Sequence, residues 1–164
     1  MKLTDNLTLK EAIKSQTAIR RGISNSPTEE EVEKLKLTAK MVFQPIREHF
    51  GIPIGITSMF RSKLLNTALK GATSSQHTKA EAIDIDADVF GGKVMDSDGK
   101  MVTFTNKMIF DFIKENLEYD QLIWEYGTNE SPAWVHVSYK ATGNRFRDLK
   151  CFKNSQGRTQ YSNM

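Results

Sequence analysis

Residues 82 to 87, AIDIDA, constrain this chain more than any other stretch, because apolar and acidic residues alternate there at the period of a β-strand. Alternation puts Ile83 and Ile85 on one face and Asp84 and Asp86 on the other, so an acidic pair lines one side of a sheet. The segments around it supply the partners. IPIGITSMF, residues 52–60, reads as a strand, followed by Arg61-Ser62 and the short helical piece KLLNTALKG. YDQLIWEYG and AWVHVSYK are two further strand-like runs joined by the turn-rich TNESP, which predicts an antiparallel hairpin.

Two amphipathic helices are expected to cover such a sheet. From Ser26, a capping residue is followed by Pro27, three acidic residues and apolar Val32, Leu35, Ala39, Val42, Phe43 and Ile46 at helical spacing. Pro45 is expected to kink this helix, and Gly51 with Pro53 to end it. Asn106 to Asn116 forms the second, carrying Met108, Ile109, Phe112 and Ile113 inward, after a Gly/Asp-rich loop or hairpin at VFGGKVMDSDGKMV. The order helix, strand, strand, helix, strands points to an α+β fold. The final residues, KNSQGRTQYSNM, are polar and unpatterned, so residues 1–150 are expected to form one domain and 151–164 a loosely held tail.

Composition narrows the function. With 164 residues, 38% of them hydrophobic and 26% charged, the chain is the size of one globular domain. The formal charge of +3 is spread among interspersed acids and bases, with no basic stripe interleaved with aromatics, so nucleic-acid binding is not indicated. No apolar run approaches a membrane span, and the polar start MKLTDNLTLKEAIK lacks the hydrophobic stretch of a signal peptide. A cytoplasmically made monomer without Sec export is the expectation. The single Cys151 excludes an intramolecular disulfide and is read as structural.

Only three histidines are present. His49 ends the long helix, where it suits the exposed carbonyls. His77 precedes Asp84 by seven residues, and His136 stands mid-strand in AWVHVSY. A catalytic zinc takes three N or O ligands and keeps one position open for water, which two imidazoles and one carboxylate satisfy, although the same residue types also serve as structural pairs. Asp86, on the same strand face as Asp84, could support a ligand.

The surrounding words carry more. Ser75-x-His77, then Ala82-x-Asp84, preceded by TSMFRSKLLN and followed by DQLIWEYG and WVHVSYK, resemble the M15 family of D-alanyl-D-alanine peptidases, whose fold is shared by hedgehog signalling domains. That family's motif is usually Ser-x-His-x-x-Gly-x-Ala-x-Asp, and here Ala80 replaces the glycine. The resemblance runs from the long helix to Lys140. It implies a hedgehog/DD-peptidase-like α+β fold, a small antiparallel sheet with flanking helices, and zinc held by His77, Asp84 and His136, with Arg61 holding a substrate carboxylate or carbonyl oxygen. Many relatives carry the general base three residues before the last histidine, where this chain has Ala133. Glu125, ending the strand beside that of His136, is the candidate base instead, with Glu130 in reserve. Ser75 and Trp134 are further candidates for lining the site, though aromatics at strand spacing, Trp124 and Tyr139 among them, are more often core.

The implied activity is zinc-dependent hydrolysis of peptidoglycan stem peptides, as a carboxypeptidase or an endopeptidase. The implied setting is the bacterial cell wall, reached in bacteriophage lysis or from a virion. The rival reading is a zinc-containing wall-binding or virion module that does not cut.

Overall fold

A computed structural model of the chain describes residues 1–164. In chain order it contains β1 (Lys2–Thr4), β2 (Leu7–Thr8), α1 (Leu9–Ala12), α2 (Gln16–Arg21), α3 (Glu29–Thr38), a π-helical turn (Ala39–Phe43) and α4 (Gln44–Phe50). Then come β3 (Gly55–Ser58), α5 (Lys63–Ala68), a 3-10 turn (Gln76–Lys79), β4 (Ala82–Asp86) and a second 3-10 turn (Ala87–Val89). The hairpin β5 (Lys93–Met95) and β6 (Met101–Thr103) leads to α6 (Asn106–Asn116), β7 (Gln121–Glu125), β8 (Trp134–Ser138), β9 (Arg147–Lys153) and β10 (Thr159–Asn163). The fold is α+β. Its main sheet has the order β10-β9-β7-β8-β4-β3, antiparallel throughout except for the parallel pair β7/β9.

Local chemistry accounts for the helices. α3 starts two residues later than the Ser26-Pro27 signal suggests: Thr28 is the N-cap, its hydroxyl accepting from the Glu31 amide while the Glu31 carboxylate accepts from the Thr28 amide. That reciprocal capping box satisfies two otherwise orphaned donors, and Glu29 to Glu31 sit at the positive end of the helix dipole. Pro45 does not break the helix. Its missing amide is accommodated by the π-helical turn just before it, in which the Gln44 amide reaches back five residues to the Ala39 carbonyl. Gly51 ends the run in the left-handed conformation, φ 66°, donating its amide to the Arg47 carbonyl. α6 has the bounds its periodicity predicts, capped by Thr105, with Phe110 buried alongside Ile109 and Ile113.

One face of the sheet is covered and the other is not. Ile83, Ile85, Leu122, Trp124, Val135 and Val137 join Leu35, Ala39, Val42, Phe43, Ile46, Ile109, Phe110 and Ile113 in one continuous core. Tyr139 belongs to it as well. The opposite face carries the side chains that alternate with these, and it forms a cleft of about 1100 Å³.

The expected loose tail is instead part of the sheet. β9 crosses the supposed boundary at residue 150 and pairs with β7, and β10 pairs with β9 from Thr159↔Lys153 to Asn163↔Leu149. β10 is an edge strand exposed along its whole length, so nothing in its sequence had to be apolar and the hydrophobic pattern of a strand is missing.

Candidate active site

Strand register assembles the cleft floor. Asp84 stands opposite His136, His136 opposite Ile123, and Ile123 opposite Leu149, a row crossing four strands on the uncovered face. One row along, Trp134, Glu125, Cys151 and Tyr161 are likewise successive partners. On the other side run Ala82, Ser138, Gln121 and Arg147. Glu125 is thus a diagonal neighbour of His136, a relation that places Cα atoms about 7–8 Å apart with long side chains in reach of each other.

His77 joins from outside the sheet. The 3-10 turn Gln76–Lys79 ends on Ala80 in the left-handed conformation, φ 60°, which turns the chain straight into β4 and holds the His77 ring against Asp84. Here lies the reason for a glycine at this position in related motifs: the backbone needs a positive φ, and Ala80 adopts it with its methyl buried in the core. The His77 Nδ1 lies 2.7 Å from the Met59 carbonyl, which can only accept, so Nδ1 carries a proton and Nε2 is the ring nitrogen turned to Asp84.

Three groups converge. His77 Nε2 is 3.2 Å from Asp84 Oδ2, and His136 Nδ1 is 2.8 Å from Asp84 Oδ1. One potential ligand atom from each of the three lies within 4.8 Å of the others. Arg61 adds its Nη2 to Asp84 Oδ2 at 3.1 Å and is steadied by its Nε on Ser58 Oγ at 2.8 Å. Burial of Asp84 pushes its pKa up, but the two imidazoles outweigh this and hold the carboxyl far below the usual range, so it is an anion at any working pH. A buried carboxylate with two imidazoles is a candidate metal site.

Glu125 differs from Asp84. It is 7% exposed and lines the same cleft, and burial raises its pKa, with the Cys151 thiol, His136 and Arg61 only partly opposing that. The Cys151 thiol is pushed up to about 11 by burial and by Glu125, so it remains protonated beside the carboxylate. Tyr126, immediately after Glu125, takes φ 50°, and Gly127 follows at φ 71° with the turn backbone packed too close for a Cβ. This strained exit swings the chain away and leaves Glu125 as the last cleft-facing residue of β7.

A family model for peptidase M15 matches residues 5–138. The chain belongs to the peptidase M15 family. No curated protein sequence matches it. The matched region holds Arg61, His77, Asp84, Glu125 and His136, and it stops at the end of β8. In this M15 chain the cleft wall formed by β9 and β10 therefore lies beyond the family match, although Arg147, Leu149, Thr159 and Tyr161 all line the cleft.

The remaining sequence candidates divide. Ser75 and Trp134 line the cleft, Trp134 directly opposite Glu125 and tilted against the Tyr126 ring, whereas Trp124 is core and donates its indole N–H to the Thr128 carbonyl. Asp86 is not beside the metal candidates: its Oδ1 accepts from Asn106 Nδ2 and from the Asp88 amide, fixing the end of β4. Sheet twist and the start of the 3-10 turn at Ala87 carry it away from Asp84 despite their shared alternation. Glu130 is exposed in the β7–β8 turn and does not line the cleft, so the reserve candidate for the base is not positioned for that role. His49 is stacked on Phe112 at 4.2 Å, away from the cleft.

Sequence reasoning missed three features. Arg147 reaches the cleft, and Cys151 comes to lie buried beside Glu125, through a parallel pairing between segments with no local signal of adjacency. Asp120, fully buried, accepts from Arg145 Nε and Nη2, Lys140 Nζ and Gln76 Nε2, and so ties the turn bearing His77 to the sheet. Its YDQ context looks like an ordinary strand start.

Proposed function

We propose that this M15 protein is a zinc peptidase that hydrolyses peptide bonds in peptidoglycan stem peptides and acts at the bacterial cell wall. The observation that carries the reading is the convergence of His77, Asp84 and His136 in a cleft that also holds Glu125 one diagonal step away. The donor set suits zinc, which accepts imidazole nitrogen and carboxylate oxygen together and leaves a position open in catalytic sites. Donors bonded at about 2.0–2.1 Å to one tetrahedral cation lie about 3.3 Å apart. The 3.2 Å and 2.8 Å separations here are of that order.

His77, Asp84 and His136 would hold the ion, which supplies Lewis acidity and an acidified water when bound. The protein's own groups do the rest. The Met59 carbonyl fixes the His77 tautomer, and Arg61 orients Asp84 while keeping further guanidinium N–H groups for a substrate oxygen. Glu125, an acceptor held largely buried at the edge of the cleft, takes a proton from water in the cleft and returns it to the leaving amine. Burial raises its affinity for that proton, which suits a group that must both accept and donate.

Purified stem peptides incubated with the zinc-loaded protein should be cleaved, with new amine termini visible by mass spectrometry. Chelation should stop the reaction and zinc restore it. A zinc-loaded, folded protein that binds these peptides and leaves every bond intact would show a recognition module instead.

A further inference from the structure

We infer that Arg147 forms a carboxylate-binding subsite that selects substrates with a free acidic group close to the bond cut. The inference rests on the peptidase reading and concerns a wall of the cleft beyond the family match, which ends at residue 138.

The argument starts from register. Arg147 is the partner of Gln121 on β7, in the row next to His136, Ile123 and Leu149, and alternation along β9 puts it on the same face as Leu149 and Cys151. It lines the cleft. Three cations stand at this end: Lys140, Arg145 and Arg147. Two are already committed, since Asp120 receives Arg145 through Nε at 2.9 Å and Nη2 at 2.6 Å, and Lys140 at 3.0 Å. The Arg147 guanidinium, by contrast, is exposed and has no ion pair or side-chain hydrogen bond, while its backbone amide is anchored on the Asp120 carbonyl. Two carboxylates, Asp120 and Glu81, set against these three cations leave this end of the cleft with a surplus positive charge and one unspent guanidinium fork.

The fork's planar pairs of donors match a carboxylate better than a carboxamide, which offers one acceptor and repels with its own N–H groups. Reach agrees with this. Two strand spacings, about 10 Å, separate His136 from β9, and the arginine arm shortens that gap to the length of one or two extended residues. Between them the floor is apolar, Ile123 and Leu149, so the cleft presents a zone for a small apolar side chain followed by an anion clamp.

The test uses two stem peptides that differ in one group, a glutamyl carboxylate left free or converted to its amide. Zinc-loaded wild type should favour the free acid by about ten- to a hundredfold in kcat/KM, the range of one charge-assisted hydrogen-bonded pair. Arg147→Ala should collapse that ratio towards one, Arg147→Lys should keep part of it, and Lys150→Ala, on the opposite face of β9, should keep all of it. Calorimetric affinities of both peptides should show the same pattern, independent of any hydrolysis. Equal handling of acid and amide by wild type overturns the inference, as does a preference that survives Arg147→Ala. Discrimination in binding without cleavage of either peptide would refute the peptidase reading and leave the carboxylate subsite standing.

Discussion

Replacing Glu125 by glutamine separates catalysis from architecture, because the two effects have opposite signs. The amide keeps the shape and the acceptor oxygen but cannot take a proton, so kcat should fall about a hundred- to ten-thousandfold, about 3–5 kcal/mol of transition-state stabilisation. Stability should move the other way. Glu125 is 7% exposed, and burial raises its folded-state pKa above the unfolded value of about 4.3. A group whose pKa rises on folding contributes stability that is fully present below the unfolded pKa and is lost as pH climbs through the folded one. In metal-free protein at pH above the unfolded value, burying Glu125 therefore costs stability, and Glu125→Gln removes that cost. Thermal denaturation of chelator-treated protein from pH 4 to 8 should show the variant melting higher than wild type at pH 8, with the gap closing towards pH 4. The acid limb of kcat/KM against pH should also vanish in whatever activity remains. A variant that is inactive and also melts lower at pH 8 would show that Glu125 is a structural group, and a fully active variant would refute its role as the base.

The proposed metal ligands give a second expectation. His77→Ala and His136→Ala should each abolish stoichiometric zinc in metal analysis, whereas His49→Ala, remote from the cleft on Phe112, should retain it. Asp120→Asn should lower stability in urea by about 2–3 kcal/mol, less than the 3–5 kcal/mol of a wholly buried pair because Arg145 and Lys140 can turn to water. Burial raises the Asp120 pKa, but Arg145, Lys140 and Gln76 more than offset it; the folded value is depressed, and the variant's deficit should shrink as pH falls below about 3.9. Ala80→Gly exchanges about 1–2 kcal/mol of left-handed strain against about 0.8 kcal/mol of buried methyl and about 0.4–1 kcal/mol of chain entropy. Its urea midpoint should stay within about 1 kcal/mol of wild type, and a loss above about 2 kcal/mol would show that methyl packing dominates.

Elements that bury one stripe were legible. α6 appears with the bounds of its periodicity, and β4, β7 and β8 appear where Ile83/Ile85, Leu122/Trp124 and Val135/Val137 alternate into the core. Elements held by backbone pairing alone were not. β1 and β2 form a two-stranded ribbon of a few residues, and β10 is exposed throughout, so neither had an apolar period to read. The start of α3 moved from Ser26 to Thr28 because a complete capping box outranks a lone cap residue before proline.

The site follows the same rule at finer grain. Alternation alone put Asp84 and Asp86 on one face, and it was right about the side of the strand but silent about neighbours. Asp84 faces His136 across β8, while Asp86 ends the strand and turns to Asn106. What distinguishes them is register, and register is a long-range property: His136 lies fifty-two residues from Asp84, and the Glu125↔Cys151 partnership depends on β9 crossing to pair parallel with β7. Local chemistry together with the M15 resemblance could therefore nominate candidate ligands, since few residue types bind a metal and only three histidines exist. It could not nominate the wall that faces them, because an arginine and a tyrosine acquire their positions from strand order. In this molecule the groups proposed for chemistry were found by residue type and family resemblance, and those proposed for selectivity emerged only from the sheet.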